Sequence, residues 1–564
     1  MPIVTDVADD VTSFFIAHAE EGMRYFSQAV YAPLIAQAQD TLLVRVAERF
    51  DFSTAEHRCQ AYRLYAGKQG QEAIYTVGQL LRMLLIKHIF TWSLRQTSTH
   101  VRMDLLVRWF CGFGLGDATP AWTTLQRFEE WLADFAPRLL FDTVLRPIEQ
   151  DFPNERQAVQ IGDTFALRST TADLTLIQLL RRTGQRLWDA YLTLLPGREA
   201  PLPAAQALYT QAQGSEDEAP AFTLDPQERE ERAVECAQAL SDLWPLLDRH
   251  MQSLAGAEPS AVASFQTWRQ CLEKIVADEF VRQTEVQGEV TVERQAVKKE
   301  RGSYRMLTPV DPDITLRVHD DQVDRGYNIS LAATTEFVRE IAAASGATPD
   351  SVGVDKLIAA QKEHLGVVPP KLIYDRAAGT PKKFADVARA SDNRTHLVAR
   401  LVDYNRNRVR YGPLDFILDE QGVLTCPWGQ TTVRAYRSHS ANGRTYRFLA
   451  KQCQGCPLIQ KCRGDKVKPD SYRQVFISSY QSQQRAALLY MQTEDFKADM
   501  KLRPHIERII ACLVRYNGAR YTQGYGLVRA DFQVKMAATA YNLKHWLVLT
   551  LAQERAQRVR SASP

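Results

Sequence analysis

The chain contains 564 residues, of which 45% are apolar and 24% are charged, and its formal net charge is +3. This length exceeds what a single hydrophobic core supports, so about two to four domains are expected. The sequence has no apolar run of the roughly 18 residues that span a bilayer and no N-terminal signal-peptide pattern. These absences argue against a membrane protein and predict a cytoplasmic one, in which the cysteines stay reduced.

Charge is distributed unevenly along the chain. Residues 371–473 contain 20 Lys and Arg against 9 Asp and Glu, whereas residues 201–250 contain 3 against 10. A local basic excess of this size indicates a polyanionic partner. An ordinary solvated surface explains either segment equally well when that segment is taken alone.

The first 150 residues have a helical pattern. Residues 75–87 form an apolar helix with basic residues at intervals, and residues 105–113 form another. Thr119 suits the N-cap, and Pro120 the first position, of a helix that continues over residues 121–128. Short helices joined by a glycine-containing turn are typical of a helix-turn-helix and predict binding to DNA. A plain helical bundle explains the pattern as well.

Residues 159–167 alternate between apolar and polar, which predicts a strand with Asp163 in its middle. Burying a carboxylate without a partner costs much free energy, so Asp163 should contact a cation or a hydrogen-bond donor. A second apolar run ends in Asp375. A helical pattern places Glu507 near its start, on the same face as Arg503 four residues earlier. We therefore hypothesise that Asp163, Asp375 and Glu507 converge on a divalent metal ion.

Helical and strand-like segments alternate between these acids. Residues 173–300 are expected to form a mainly helical insertion, because strand-like sequence resumes only afterwards. Its clearest helices are predicted over about 226–254 and 261–281. Strands are then predicted at 314–318, 327–332, 370–374 and 395–402, with helices at 349–365 and 382–390. This order predicts an α/β fold with a mixed sheet.

A cluster of cysteines follows: Cys426, Cys453, Cys456 and Cys462. Their spacing suits the four thiolate ligands of a structural zinc ion, although buried, reduced cysteines without metal are the alternative. Basic residues interleaved with aromatic ones surround the cluster, which predicts contacts to a phosphate backbone. The candidate DNA-binding residues are Arg434, Arg437, Arg444, Arg447 and Lys451, together with Arg515 and Arg520 beside a glycine-rich loop at 516–526.

In their order and spacing these features resemble the bacterial insertion-sequence transposases with a DDE catalytic core, in particular the group with a cysteine-rich stretch before the catalytic Glu. The resemblance covers roughly residues 45–550, and residues 62–131 are similar to the helical N-terminal domain of that group. The family often has Tyr and Lys where this chain has Met500 and Val514. The motifs that carry the resemblance are Asp163-Thr164, Asp311-Pro312-Asp313, Gly326-Tyr327-Asn328, Asp375, the cysteine cluster, Arg503-x3-Glu507 and Asn542-Leu543-Lys544.

The resemblance implies an RNase H-like core in which Asp163, Asp375 and Glu507 are catalytic and hold two Mg²⁺ (or Mn²⁺) ions, supported by Arg503. It implies a DNA transposase that cuts phosphodiester bonds at element ends and joins the 3′-hydroxyl to target DNA. The implied partner is double-stranded DNA, bound by a homodimer that is associated with the nucleoid.

The chain is divided accordingly. A helical N-terminal domain (1–150), with a predicted role in binding DNA ends, precedes the first part of the RNase H-like core (151–172 and 301–405). The helical insertion (173–300) interrupts that core. A cysteine-rich, basic segment with the candidate zinc hairpin (406–479) separates it from the C-terminal helical part (480–564), which carries Glu507.

Two alternative functions stay open from the sequence. A domesticated DNA-binding protein without catalysis, or a nuclease of the same fold that cuts without joining, would share these features. Each acid also has a structural alternative: Asp163 could accept a bond from neighbouring backbone, Asp375 could cap the following helix, and Glu507 could pair with Arg503. Glu494 and Asp495 are alternative third acids.

Overall fold

The computed structural model describes residues 4–66, 74–196, 200–215, 218, 223–253, 258–284, 290–294, 304–319, 322–402, 410–437, 442–464 and 471–562. As predicted, the N-terminal part is helical. Its helices are α1 (Val4–Gln37), α2 (Leu42–Arg49), α3 (Ser53–Arg58), α4 (Ala61–Ala66), α5 (Val77–Ile89), α6 (Leu94–Met103), α7 (Leu105–Phe110), α8 (Trp122–Phe135) and α9 (Leu139–Asp151).

Helix α8 begins later than predicted. It starts at Trp122, and its N-cap is Ala121 rather than Thr119, without a side-chain cap. The carbonyl of Pro120 accepts a hydrogen bond from Ser98 Oγ at 2.7 Å. This bond holds Pro120 against α6, in the segment that precedes the helix, so the prediction of Thr119 as cap and Pro120 as first residue was wrong.

The insertion follows strand β1 (Gln160–Arg168) and consists of α10 (Leu176–Leu194), α11 (Pro203–Gln213), α12 (Pro226–Ser253) and α13 (Pro259–Glu279). It also contains a hairpin of β2 (Phe280–Thr284) and β3 (Val290–Arg294). The expectation that strand-like sequence resumes only after residue 300 was therefore wrong. The hairpin forms because Phe280 and Val292 pack into the insertion's own apolar core, whose members lie between residues 177 and 306.

The main sheet contains β1, β4 (Thr315–His319), β5 (Gln322–Ala333), β6 (Val338–Ser345), β7 (Lys371–Ile373) and β8 (His396–Val398). Its order is β4–β5–β1–β7–β8, and β6 pairs with the second half of β5. Strands β1 and β5 are antiparallel, whereas β7 and β8 run parallel to β1. Strand β6, which the sequence analysis missed, completes the antiparallel meander.

Helices cover both faces of this sheet. Helices α14 (Val354–Leu365) and α15 (Pro381–Ala390) pack on one face around Leu372 and Leu397. The other face is covered by α20 (Pro504–Tyr516) and α21 (Leu527–Ala562), which pack on Ile161 and Ile373. The predicted α/β class with an RNase H-like mixed sheet is confirmed.

The cysteine-rich segment forms small sheets beside the core. Its strands are β9 (Ile417–Leu418), β10 (Leu424–Thr425), β11 (Thr431–Thr432), β12 (Ala435–Arg437), β13 (Gly443–Phe448) and β14 (Arg473–Ser478). Helices α16 (Ala450–Cys453) and α17 (Ile459–Arg463) lie between β13 and β14, and α18 (Gln481–Tyr490) and α19 (Glu494–Met500) lead to α20. None of the described helices combines the length and the apolar character that crossing a membrane requires.

An ion pair between a buried lysine and a partly buried glutamate joins the N-terminal helices to the glycine-rich loop 516–526. Lys87 Nζ on α5 lies 2.8 Å from Glu129 Oε1 on α8 and 3.1 Å from Gln523 Oε1 in the loop. Burial works to raise the pKa of Glu129, but the Lys87 and His88 side chains outweigh burial and lower this pKa to about 2. Glu129 is therefore ionised, and Lys87 is the cation that neutralises it.

Candidate functional site

Asp163 lies within β1, and Asp375 lies two residues beyond the end of the neighbouring parallel strand β7. Ile161 of β1 pairs with Ile373 of β7, and each acid follows its isoleucine by two residues. Because side chains alternate along a strand, both carboxylates emerge on the face that these isoleucines share, which is the face covered by α20. The sheet thus brings the first two candidate acids together.

Each of these carboxylates accepts one hydrogen bond from nearby backbone. Thr164 N donates to Asp163 Oδ1 at 2.8 Å, and Ala377 N donates to Asp375 Oδ1 at 2.9 Å, which caps a short 3-10 turn at Arg376–Ala378. The structural alternatives that the sequence offered for these two acids therefore both occur. Each uses one carboxylate oxygen and leaves Oδ2 for another partner.

The carboxylate of Asp163 is electrostatically crowded. Its side chain is 17% exposed, and Arg503 Nη2 lies 3.3 Å from its Oδ2. Burial raises the pKa of Asp163, and the charges of Asp375 and Asp350 add to the rise, while the Thr164 N–H group and Arg503 oppose it. A cation beside Asp163 and Asp375 would relieve this repulsion.

Glu507 lies in the first turn of α20 and lines a cleft of about 490 Å³ together with Asp375 and Arg503. The buried residues Ile506 and Ile509 fix this helix on the sheet. Glu507 itself is exposed, and within the described part of the chain no hydrogen bond or ion pair holds it. Arg503, the partner that the sequence offered, contacts Asp163 instead.

The alternative third acids lie away from this cleft. Glu494 is exposed on α19 and pairs with Lys497 at 2.7 Å. Neither Glu494 nor Asp495 is among the described residues that line the cleft, whereas Met500, at the position where the family often has Tyr, is one of them. Of the three candidates for the third acid, only Glu507 is among the described residues that line the cleft.

The three carboxylates supply the oxygen donors that Mg²⁺ prefers. As they stand they do not form a ligand sphere. Among the described residues, no three His, Cys, Asp or Glu side chains are close enough together to hold a metal ion. The donor chemistry therefore fits the implied ions, whereas the present spacing of the three acids does not.

The clustered cysteines all line one small cavity. Cys426, Cys453, Cys456 and Cys462 surround a volume of about 30 Å³, which is enough for a single ion or water molecule. Burial raises the pKa of Cys453 and Cys462, and a neighbouring guanidinium opposes the rise in each case. Among the described residues, no three cysteine sulfurs of this cluster are close enough together to hold one ion. Zinc binding therefore stays a prediction.

Three of the candidate DNA-binding residues of the cysteine-rich segment, Arg437, Arg444 and Arg447, lie on the sheet β12–β13–β14, whereas Arg434 precedes β12 and Lys451 lies on α16. Arg437 and Arg444 face each other directly across the β12–β13 pair, and both are exposed. The guanidinium of Arg447 lies 4.1 Å from the ring centroid of Tyr472 and 5.8 Å from that of Tyr436. The remaining candidates, Arg434, Lys451, Arg515 and Arg520, are also exposed.

Two arginines of the cleft were missed by the sequence analysis. Arg376 directly follows Asp375, and Arg400 comes two residues after the end of β8; both are exposed and line the cleft. The signal that could have found Arg376 is its position directly after Asp375, whereas Arg400 falls within the strand predicted at 395–402, which in the structure ends at Val398.

Comparison with known families gives two matches. A family model described as "Transposase domain (DUF772)" matches residues 34–131, and one described as "Transposase DDE domain" matches residues 425–547. The second match includes the cysteine cluster and Glu507, whereas Asp163 and Asp375 lie outside both. No curated protein sequence and no solved structure matches the chain. Both matches are transposase domains, which confirms the resemblance found from the sequence.

Proposed function

We propose that this chain, which belongs to the insertion-sequence DDE transposases, cuts phosphodiester bonds at the ends of its element and joins the freed 3′-hydroxyl to target DNA. The observation that supports the proposal is the placement of Asp163 in β1 beside Asp375, which follows the neighbouring parallel strand β7, with Glu507 on the wall of a cleft that Asp375 also lines. Double-stranded DNA is the proposed substrate, and a homodimer is the proposed active form.

In this proposal Asp163, Asp375 and Glu507 hold two Mg²⁺ or Mn²⁺ ions. When bound, such ions activate the attacking oxygen and stabilise the leaving oxygen of a phosphodiester. The hydrogen bonds from Thr164 N and Ala377 N fix the orientation of the two aspartates, which leaves Oδ2 of Asp375 available, whereas Oδ2 of Asp163 contacts Arg503. Binding of the ions would require the three acids to come closer together, because they do not share a ligand sphere as they stand.

Arg503 has a distinct role in the proposed mechanism. Its guanidinium contacts Asp163 Oδ2 and also lines the cleft. In that position Arg503 partly neutralises the carboxylate of Asp163. It also lies on the wall of the cleft that the phosphate of a DNA substrate would enter. A guanidinium group can bind two non-bridging oxygens of a phosphate at once. Arg503 would therefore release Asp163 and bind the scissile phosphate when DNA enters the cleft.

The test of this function is an assay with supercoiled plasmid that carries the DNA flanking the coding region. A transposase gives cleaved ends with Mg²⁺ and also covalently joined strand-transfer products. Cleavage without joined products would indicate a nuclease of the same fold. Binding without cleavage by the wild-type protein, in Mg²⁺ and in Mn²⁺, would indicate a domesticated DNA-binding protein and contradict the proposal.

We also propose that the sheet β12–β13–β14 contacts the phosphate backbone of DNA. Like charges directly opposite each other on neighbouring strands destabilise a sheet by a few tenths to about 1 kcal/mol. The pair Arg437 and Arg444 is such an arrangement, and an anion between the two guanidinium groups would relieve it. The repulsion between Arg437 and Arg444 destabilises the protein when no DNA is bound, which supports a role for this pair in binding DNA phosphates.

Arg437→Thr is therefore expected to have opposite effects on stability and on binding. Stability should rise by a few tenths of a kcal/mol, because the repulsion with Arg444 disappears and Thr favours strands. DNA affinity should fall for all sequences alike, with a weaker salt dependence. Thermal unfolding and fluorescence anisotropy across a salt series measure the two effects. A variant that binds DNA as tightly as the wild type at every salt concentration would contradict this placement.

The zinc prediction concerns the cavity lined by the four cysteines. Protein purified without chelator should contain about one zinc ion per chain, because four thiolates form a tetrahedral site. Cys456→Ser should lose that ion and expose the hairpin β13–β14 to hydrogen exchange, since metal binding and local folding are coupled. Cys512→Ser, outside the cluster, is the matched control and should retain the ion. Elemental analysis that finds no zinc in the wild type would refute the prediction.

A further inference from the structure

We propose that Arg376 and Arg400 form a clamp that binds a DNA phosphate on the rim of the cleft containing Asp375 and Glu507. This inference rests on the proposed function, because it assigns a further part of the substrate to the same cleft. The clamp is distinct from Arg503, which contacts Asp163, and from the basic sheet β12–β13–β14.

The strand register aligns these residues with the candidate acids. Ile161 pairs with Ile373, and Ile373 pairs with Val398 of β8. Two residues beyond these partners lie Asp163 within β1, Asp375 just after the end of β7 and Arg400 just after the end of β8. Neighbouring strands are about 4.8 Å apart, so Arg400 continues the row of the two aspartates one strand further. Arg376 follows Asp375 in the chain and supplies the second cation of the same rim.

The backbone holds both arginines in a fixed relation. Val402 N donates a hydrogen bond to Gly379 O at 2.9 Å, which ties the segment after β8 to the turn that contains Arg376. The contact at Gly379 is so close that a Cβ atom there would overlap the carbonyl oxygen of Arg400. The two guanidinium groups are therefore presented by one rigid rim.

The charges of the cleft explain why such a clamp is needed. Asp375 and Glu507 on the wall of the cleft repel a DNA phosphate, and Arg503 already faces Asp163. Across the ranges that the structure describes, no carboxylate lies within ion-pair distance of Arg376 or Arg400, and both side chains are exposed. Both cations are thus available, and guanidinium groups bind phosphate oxygens in a bidentate manner.

The test compares DNA binding by the full chain as a function of salt. The probe is a fluorescein-labelled duplex of mixed sequence, and the variants are Arg376→Gln with Arg400→Gln, against Arg389→Gln as a control. Arg389 is 71% exposed on α15, pairs with Asp386 and is not among the described residues lining the cleft. Each lost phosphate contact reduces the slope of log affinity against log salt by about one.

In the Arg376→Gln, Arg400→Gln double variant, we expect the magnitude of this slope to fall by about two and the affinity at low salt to fall at least tenfold. The Arg389→Gln control should keep the wild-type slope and affinity. The melting temperature should not change, because both side chains are exposed. The double Lys variant should recover the slope but only part of the affinity, because it restores charge without the fork.

An unchanged slope in the double Gln variant, or an equal loss in the Gln and Lys variants, overturns the clamp. These outcomes are separate from failure of the proposed function, which wild-type cleavage and joining of plasmid DNA decide. If the wild type cuts and joins DNA while the slope is unchanged, the clamp alone is wrong. If the wild type does not bind the duplex at all, both are wrong.

Discussion

Asp163→Asn is expected to reduce DNA cleavage by about 10³-fold or more, because it removes a carboxylate from the set proposed to hold the metal ions. A factor of this size corresponds to roughly 4 kcal/mol of transition-state stabilisation. Asp375→Asn and Glu507→Gln should each have a similar effect, and the three losses should not add, because a site that lacks one metal gains little from the remaining ligands. Cleavage of supercoiled plasmid in Mg²⁺ and in Mn²⁺ measures these losses.

The same Asp163→Asn variant should be at least as stable as the wild type in chelator at neutral pH. Burial raises the pKa of Asp163, so the ionised carboxylate costs the folded state free energy above that raised pKa. Below the ordinary value of 3.8 the carboxyl is protonated in both the folded and the unfolded states, and the cost vanishes. The stability advantage of Asn should therefore be present at neutral pH and disappear as the pH falls towards 3.8.

The control for the third acid is Glu494→Gln. Glu494 pairs with Lys497 at the surface of α19, so its replacement should leave cleavage unchanged. If Glu494→Gln abolishes cleavage and Glu507→Gln does not, the third acid has been wrongly assigned. Folding and DNA binding should persist in all four variants, which excludes general misfolding as the cause of any loss.

Lys87→Met is expected to destabilise the protein by about 1–3 kcal/mol, because it leaves the largely buried Glu129 without the cation that neutralises it. This pair joins α5, α8 and the glycine-rich loop 516–526. Denaturant unfolding monitored by circular dichroism measures the loss. Since Lys87 lies away from the cleft of Asp375 and Glu507, cleavage at low temperature should be retained.

The matched control is the double variant Lys87→Met with Glu129→Leu. Removing both charges takes away the desolvation cost together with the attraction, so the double variant should recover most of the stability. A second single variant, Lys497→Met, removes an exposed partner of Glu494 and should cost less than about 1 kcal/mol. A double variant that is less stable than Lys87→Met alone would contradict the assignment of Glu129 as a buried ion.

The parts of the fold that local patterns determine were predictable from the sequence. The alternation around Asp163 predicts β1, and the stripe of Ile506, Ile509 and Leu513 predicts α20 with Glu507 near its start. These elements depend on which face of a segment is apolar, and that property is present in a short window of residues. The order of the elements then predicts the mixed sheet.

Strand β6 was not predictable in this way, because its burial depends on distant charges. Arg339 and Glu340 lie near the start of β6, are buried, and pair with Glu149 of α9 and with Arg138, which precedes α9, about 200 residues earlier in the chain. A window that contains two charged residues and several alanines does not indicate a buried strand.

The arginines of the clamp were missed for a related reason. Arg400 joins the row of Asp163 and Asp375 only through the register between β7 and β8. Strand register is set by pairing between segments that are far apart in the sequence, and a short window of residues does not contain it.

The position of the insertion has a consequence for how genes of this kind change over time. Arg168, the last residue of β1, and Thr315, the first of β4, pair with opposite sides of the same residue, Gly326. The chain therefore leaves and re-enters the sheet at points about two strand spacings, or 10 Å, apart, a gap that three or four residues can bridge. Because the intervening segment has its own apolar core, well over a hundred codons could be acquired or discarded at this point while the reading frame and the pairing of β1 with β5 are preserved.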